Sequence, residues 1–242
     1  MSTPRKVVRL REALAEIAEN FAPASLATSF GAEDMVLTDL IAREFPSIGI
    51  FTIDTGRLPA ETIALRDEVV ARYGVALRVY MPDPLAVAAY VAEHGRDGFY
   101  ESLAKRKACC HLRKVEPLGR ALAGLLGWIT GLRRDQAPTR AQVGEHEFDA
   151  AHGLLKFNPL ADWTHEDVWD YVRRNAVPVN ALHARGYPSI GCEPCTRAVR
   201  PGEDPRAGRW WWESRDTTEC GLHPVIPLVP APASRAGTQA TP

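Results

Sequence analysis

Apolar positions recur along this chain at two alternating spacings, and their order predicts a layered α/β fold. Leu10, Leu14 and Ile17 fall at helical intervals within residues 8–20. The run Ser25–Phe30 has no helical period and reads as a buried strand. Glu33–Glu44 returns to helical spacing, with Val36, Leu37, Leu40 and Ile41 on one face. A second apolar run, Ile48–Ile53, carries β-branched residues and stops at the turn-like Asp54-Thr55-Gly56. Pro59 suits the start of a helix reaching about Tyr73, because a first-turn proline lacks only an N–H that has no helical partner. Gly74 ends that helix. Leu77–Tyr80 reads as a third strand and Gly127–Leu132 as a fourth.

Strands separated by helices imply βαβ units and a mostly parallel sheet flanked by helices. Such sheets bind ligands beyond the carboxyl ends of their strands. Three polar loops fall there: Gly31-Ala32-Glu33-Asp34, Asp54-Thr55-Gly56-Arg57 and Arg133-Arg134-Asp135-Gln136. Glycines in such loops, Gly31 and Gly56 here, let backbone approach a phosphate closely. Thr164-His165-Glu166-Asp167 has the form of a capping box opening a helix through Arg174. Beyond Val177 the chain is rich in Pro, Gly, Cys, Arg and Trp, which predicts irregular structure. The Pro/Ala-rich stretch 224–242 reads as a loose tail. The expected organisation is a single domain, 1–223, with a helical lead-in over 1–22.

Composition narrows the function classes. The 242 residues are 45% hydrophobic and 24% charged, enough apolar content for a sizeable core. A net charge of -1 gives no basic surplus for a nucleic-acid binder. The N-terminal residues 1–11 lack the apolar run of a signal peptide, and no stretch is long enough to span a bilayer. A cytoplasmic location without a membrane partner follows as the expectation. Five cysteines do not make a disulfide scaffold at this size; clustered cysteines in a reducing compartment point to metal or redox chemistry.

Four of those cysteines form two pairs, Cys109-Cys110 and Cys192-Glu193-Pro194-Cys195. Four thiolates suit a zinc ion or an iron–sulfur cluster. Adjacent cysteines fill two corners around a single ion awkwardly, whereas a cubane presents separate irons. Buried structural thiols, or a C-x-x-C dithiol in the second pair, are the competing explanations. Cys220, in Glu219-Cys220-Gly221-Leu222-His223, is an unpaired late thiol beside a histidine, either a nucleophile or an incidental surface thiol.

Read in order, several motifs together resemble one family. They are Ser29-Phe30-Gly31-Ala32-Glu33-Asp34, Asp54-Thr55-Gly56-Arg57-Leu58, Cys109-Cys110, Arg133-Arg134-Asp135-Gln136, Lys156-Phe157-Asn158-Pro159-Leu160, Gly191-Cys192-Glu193-Pro194-Cys195-Thr196-Arg197, Gly208-Arg209-Trp210-Trp211-Trp212-Glu213 and Glu219-Cys220-Gly221-Leu222-His223. The set is similar to the assimilatory adenylylsulfate (APS) reductases of bacteria, within the wider APS/PAPS reductase family, over roughly residues 26–223.

The resemblance implies an adenine-nucleotide hydrolase-like (PP-loop-type) α/β fold with a catalytic C-terminal segment over about 196–223. It implies one [4Fe–4S] cluster per subunit on Cys109, Cys110, Cys192 and Cys195. It implies that Cys220 attacks the sulfur of APS, and that reduced thioredoxin or glutaredoxin then releases sulfite. Both cysteine pairs tilt the substrate towards APS rather than PAPS. At family positions that meet phosphate or sulfate stand Lys114, Arg140, Arg206 and Arg209, which would offset repulsion between a thiolate and an anionic substrate. Asp54, Thr55 and Gly56, with Gly31, would cradle the nucleotide. His223 would assist binding or be a bystander, and Trp210, Trp211 and Trp212 would anchor the closing segment or simply pack. One departure is that Phe30, not serine, precedes Gly31, so no single serine is assigned to phosphate. The chain leaves room for a homo-oligomer. An ATP-pyrophosphatase would carry a Ser-Gly-Gly-x-Asp-Ser loop, which this chain lacks. A non-catalytic metal-binding regulator would leave the Cys220 motif without a role.

Overall fold

In this computed structural model, which describes residues 2–214, the chain opens with helix α1, Thr3–Asn20. It begins ahead of the expected 8–20 because Pro4 fits a first helical turn and Lys6 is drawn into the interior. Strand β1 (Ala24–Ala27), helix α2 (Ala32–Glu44), strand β2 (Gly49–Ile53), helix α3 (Ala60–Tyr73) and strand β3 (Leu77–Tyr80) follow in the predicted order. Gly74 closes α3 in the left-handed conformation, φ 63°, which glycine adopts without steric cost.

Helix α4 (Pro84–His94) and helix α5 (Leu103–Cys110) come next. A widened helical turn, His111–Val115, joins α5 to α6 (Glu116–Leu122). Strand β4 (Gly127–Ile129), the hairpin β5 (His146–Asp149) and β6 (Leu154–Phe157), and helix α7 (His165–Arg174) complete the regular elements. The capping box on α7 is formed, with Thr164 and Asp167 bonding each other's backbone N–H groups.

The six strands lie in the order β3-β2-β1-β4-β6-β5. All neighbours are parallel except the β5–β6 hairpin. Alternation along each strand sends residues to two cores. Leu26, Ile50, Ile129 and Phe157 pack with α1, α2, α3 and α7. Phe51, Trp128 and Leu154 pack on the opposite face against Leu118 and Leu122 of α6. Among the described residues no helix is long and apolar enough to cross a membrane.

Two strands stop before the carboxyl ends of their apolar runs. β1 stops at Ala27 rather than Phe30, and β4 at Ile129 rather than Leu132. In each case a threonine hydroxyl turns the chain out of the sheet. Thr28 Oγ1 accepts from the Phe30 N–H at 3.1 Å, and Thr130 Oγ1 from the Leu132 N–H at 3.3 Å. Phe30 then takes φ 60°.

A buried ion pair ties α1 to α7. Lys6 Nζ donates to Asp167 Oδ2 at 2.7 Å and to the Asp162 carbonyl at 2.5 Å. Burial alone would raise the Asp167 pKa, but hydrogen bonds from Lys6, Thr164 and Thr3 outweigh it and hold the carboxyl down at about 2. Lys6→Met leaves that carboxylate without its cation. The expected result is a loss of about 3 kcal/mol, read as a lower urea midpoint at unchanged slope.

Candidate active site

The strand order reverses at β1. From there the chain builds β2 and β3 on one side and β4, β6 and β5 on the other. Loops leaving adjacent parallel strands at such a point diverge and open a crevice. Here the crevice is a cleft of about 780 Å³, walled by the loops after β1 and β4 and by the irregular segment after α7.

Close packing joins the first two loops. Ser29 N and Oγ donate to Asp34 Oδ2 at 2.7 and 2.8 Å. A Cβ at Gly131 would fall 2.4 Å from Asp34 Oδ1, so only glycine lets the loops close. Burial pushes the Asp34 carboxyl up to about 6, against the Ser29 hydrogen bonds. Its neighbour Glu33 behaves oppositely. Burial would raise it, but Arg133 and Gln136 hold it below the usual carboxylate range. Arg133 Nε and Nη2 reach Glu33 Oε1 at 2.9 and 2.8 Å, and its Nη1 reaches Asp135 Oδ2 and the Trp163 carbonyl, each at 3.2 Å.

Of the residues expected from sequence, Gly31, Thr55, Lys114, Arg140, Arg206 and Arg209 line this one cleft. Asp54 and Gly56 instead shape the turn that presents Thr55. Asp54 Oδ1 accepts from the Gly56 N–H at 2.9 Å, and Gly56 takes φ 70°. Cys220, His223 and the stretch 224–242 lie outside the described residues.

Sequence reasoning missed an aromatic wall. His165, Trp169 and His183 line the cleft, with the Trp169 and His183 rings 5.4 Å apart and nearly perpendicular. His183 Nδ1 lies 2.9 Å from the Tyr187 carbonyl, and burial holds the imidazole below its ordinary pKa. Nδ1 is the donor there, because a carbonyl oxygen can only accept. No spacing signal marks these residues, because Trp169 lies on an amphipathic helix that reads as core.

The four cysteines line a second, smaller pocket that shares a wall with the cleft. Cys109 and Cys110 end α5, while Cys192 precedes and Cys195 closes the tight turn Glu193–Cys195. Phe99 and Trp210 supply its apolar surface, and Arg57, Arg106, Arg113 and Lys114 its cationic surface. Arg113 and Lys114 follow Cys109 and Cys110 by four residues, a spacing that keeps them on one helical face. Burial and then Cys110 raise the Cys109 thiol. Burial and then Cys192 push Cys195 up to about 12. At Cys192 burial also opposes ionisation, but Lys114, the Thr55 hydroxyl at 3.3 Å, Arg209 and Arg113 prevail and lower its pKa. Among the described residues no group of three or more His, Cys, Asp and Glu side chains is arranged to hold a metal ion. Lys114 borders both spaces.

Trp210 fixes the far side of that shared wall. The guanidinium carbons of Arg106 and Arg209 both lie over its ring, at 4.8 and 4.7 Å from the centroid. Arg106 is buried and bonds Glu213 at 2.9 and 2.8 Å. Arg209 Nη1 donates to the Ile190 carbonyl at 3.0 Å, and a Cβ at Gly191 would fall 2.2 Å from Arg209 Nη2. Of the three tryptophans, Trp210 is buried, Trp212 packs 4.4 Å from the Tyr100 ring, and Trp211 is exposed.

The chain is similar to known proteins over most of its length. Residues 23–198 match the family model of the phosphoadenosine phosphosulfate reductase domain. The chain is 58% identical over 229 residues to a protein of Burkholderia cepacia named adenosine 5'-phosphosulfate reductase, covering 95% of this chain and 91% of that one. A protein of the same name from Allochromatium vinosum is 54% identical over 220 residues, covering 91% and 86%. Among solved structures, the phosphoadenylyl-sulfate (PAPS) reductase of Candida auris in a phosphate complex matches with a TM-score of 0.66 at 30% identity, covering 80% of this chain and 90% of that one. The FMN adenylyltransferase of Candida glabrata, at 13% identity and a TM-score of 0.53 over 89% of this chain and 75% of that one, shares the fold alone.

The raised pKa of Asp34 fixes the sign of a pH effect. A carboxyl near 6 in the fold and about 3.9 unfolded costs stability when ionised, so the cost grows from pH 4 to 6 and then levels. Asp34→Asn removes it. The variant should exceed the parent by about 3 kcal/mol above pH 6.5 and match it below pH 4, measured by urea unfolding across that range.

Proposed function

The chain belongs to the phosphoadenosine phosphosulfate reductase domain family, and from that membership we propose that it reduces adenosine 5'-phosphosulfate to sulfite and AMP. The observation that carries this reading is the shared wall. A nucleotide-sized cleft at the sheet's switch point abuts a four-thiol pocket, with Lys114 bordering both.

The chemistry asks for an anion cradle more than for acid catalysis. AMP departs from a phosphate–sulfate anhydride and needs little protonation. The harder task is to bring a thiolate to an anionic sulfuryl group, which costs Coulomb energy unless nearby cations offset it. Lys114, Arg140, Arg206 and Arg209 are suited to that, arginine through paired hydrogen bonds to oxyanions. The tight loops at Gly31 and Thr55 would hold the nucleotide, and the turn made by Asp54 and Gly56 would hold Thr55.

In the first step the Cys220 thiolate attacks sulfur. An S–S bond forms, the S–O bond to phosphate breaks, and AMP leaves with that electron pair. A reduced dithiol protein, thioredoxin or glutaredoxin, then attacks the S-sulfocysteine. Sulfite departs, Cys220 returns as a thiol, and the donor is oxidised to its disulfide. The reaction runs in the cytoplasm, where dithiol donors stay reduced. His223, beside the nucleophile, would assist substrate binding.

Cys109, Cys110, Cys192 and Cys195 would hold one [4Fe–4S] cluster per chain. The donor set fits: four thiols from two segments line one pocket, and cations around it compensate thiolate charge. A cubane takes its ligands on separate irons, so it asks for thiols spread around a space rather than drawn to one point. When bound, the cluster supplies an anchor between the two cysteine segments that orients Lys114, while the electrons come from the dithiol.

Two measurements check these assignments. Protein purified without oxygen should contain about four iron and four sulfide per chain, lost in a Cys192→Ser/Cys195→Ser variant; zinc alone would refute the cluster. Protein mixed with APS and no dithiol should gain the mass of one sulfonate group, and Cys220→Ser should not. An unchanged adduct in that variant would refute the nucleophile.

A further inference from the structure

Resting on the reading above, in which Arg140 meets an oxyanion of the substrate, we propose that Gln136 is a positioning residue that sets Arg140 in the cleft, braced against the Glu33–Arg133 pair. All three polar loops were expected at the carboxyl ends of the strands, and the two at Gly31 and Asp54-Thr55-Gly56 were expected to cradle the nucleotide. The hydrogen bonds divide their labour differently.

Arg133 is the most conspicuous cation of its loop, yet its side chain is only 5% exposed and committed to protein. Two of its nitrogens hold Glu33 Oε1, and the third holds Asp135 and the Trp163 carbonyl. It fastens the loop after β4 to the first turn of α2 across the switch point. On that fixed post sits Gln136. Its Oε1 accepts from the Arg133 backbone N–H at 3.1 Å and from Arg140 Nη1 at 2.6 Å, and its Nε2 donates to the Gly131 carbonyl at 3.2 Å. The two acceptor bonds and one donor bond need both ends of an amide on a three-carbon reach. Glutamate lacks the donor, lysine the acceptor and asparagine the length.

The consequence concerns Arg140. A guanidinium on a long flexible stem must be ordered before it can bind an oxyanion with both prongs. Holding Nη1 against Gln136 orders it before the substrate arrives. Because the same bond persists before and during reaction, its loss should weaken substrate binding and transition-state binding equally. Such a loss raises KM and leaves kcat alone.

The test is a double-variant cycle on the cluster-loaded full chain with saturating dithiol. Sulfite release from APS and AMP affinity by titration calorimetry are both measured. Gln136→Met, which keeps length and volume, should raise KM and the AMP dissociation constant about tenfold with kcat within about twofold. Arg140→Ala should do at least as much. The double variant should be no worse than Arg140→Ala alone for substrate and AMP binding, because on this proposal Gln136 reaches the ligand only through that arginine, its other bonds, to the Arg133 N–H, the Gly131 carbonyl and Glu33, being made within the protein. Losses that multiply in the double variant, or a fall in kcat at constant KM, would overturn the proposal. If Gln136→Met does not fold, Gln136→Ala reads the same cycle; failure of both to fold would overturn it too, as the residue would then be structural. The proposed function is judged separately, on the unmutated protein. No sulfite from APS would defeat that reading while AMP binding still tests the clip, and absence of AMP binding would defeat both.

Discussion

Parallel strands cannot be joined by a hairpin, and the remainder of this structure follows from that constraint. Each crossover must leave one end of the sheet, traverse a helix and re-enter at the other end. Starting from β1, the chain builds outward first to one side and then to the other, so the connections that leave β1 and β4 part company. Among the described residues no helix or strand fills the gap between them. The sheet thereby creates, as a by-product of its winding, a concave place where several backbone turns and side chains from remote parts of the sequence converge.

What fills that place is charge, arranged in two grades. Some cations are consumed by the protein. Arg133 is bound to Glu33, and Arg106 to Glu213, both with little solvent to weaken the pairing. Such pairs gain little net stability after desolvation, but they fix geometry. Others, Lys114, Arg140, Arg206 and Arg209, keep protein partners yet also line the cleft. The lowered pKa of Cys192 beside Lys114 and Arg209 is a local record of that positive field.

Much of this was legible in the sequence, and the failures have physical causes. The strands and helices through residue 80 were readable because most bury one clear face or both, and β3, only partly buried, is marked by its β-branched and aromatic residues after Gly74. Helix α4 was not, because it is apolar nearly all round while only Tyr90 is buried, so no stripe marks it. The β5–β6 hairpin escaped because β5 is an edge strand with Phe148 60% exposed and acidic residues between. The two cysteine pairs were readable as partners from spacing and type alone. The commitment of Arg133 to Glu33 was not, since it spans 100 positions and depends on the loop turns that Thr28 and Thr130 impose. Local chemistry marked candidate residues; only folding revealed which of them line the cleft.

Gly191 carries a last consequence. Its missing side chain is the space that the Arg209 guanidinium occupies, one residue before a cysteine of the second pair. Position 191 therefore serves as a spacer gauge. A chain of this fold that bears any side chain there must hold its arginine elsewhere, and so must present its positive charge to the crevice from a different direction. One hydrogen atom on the backbone thus reports, in any aligned sequence, whether the cation and the thiol turn are built to the same plan.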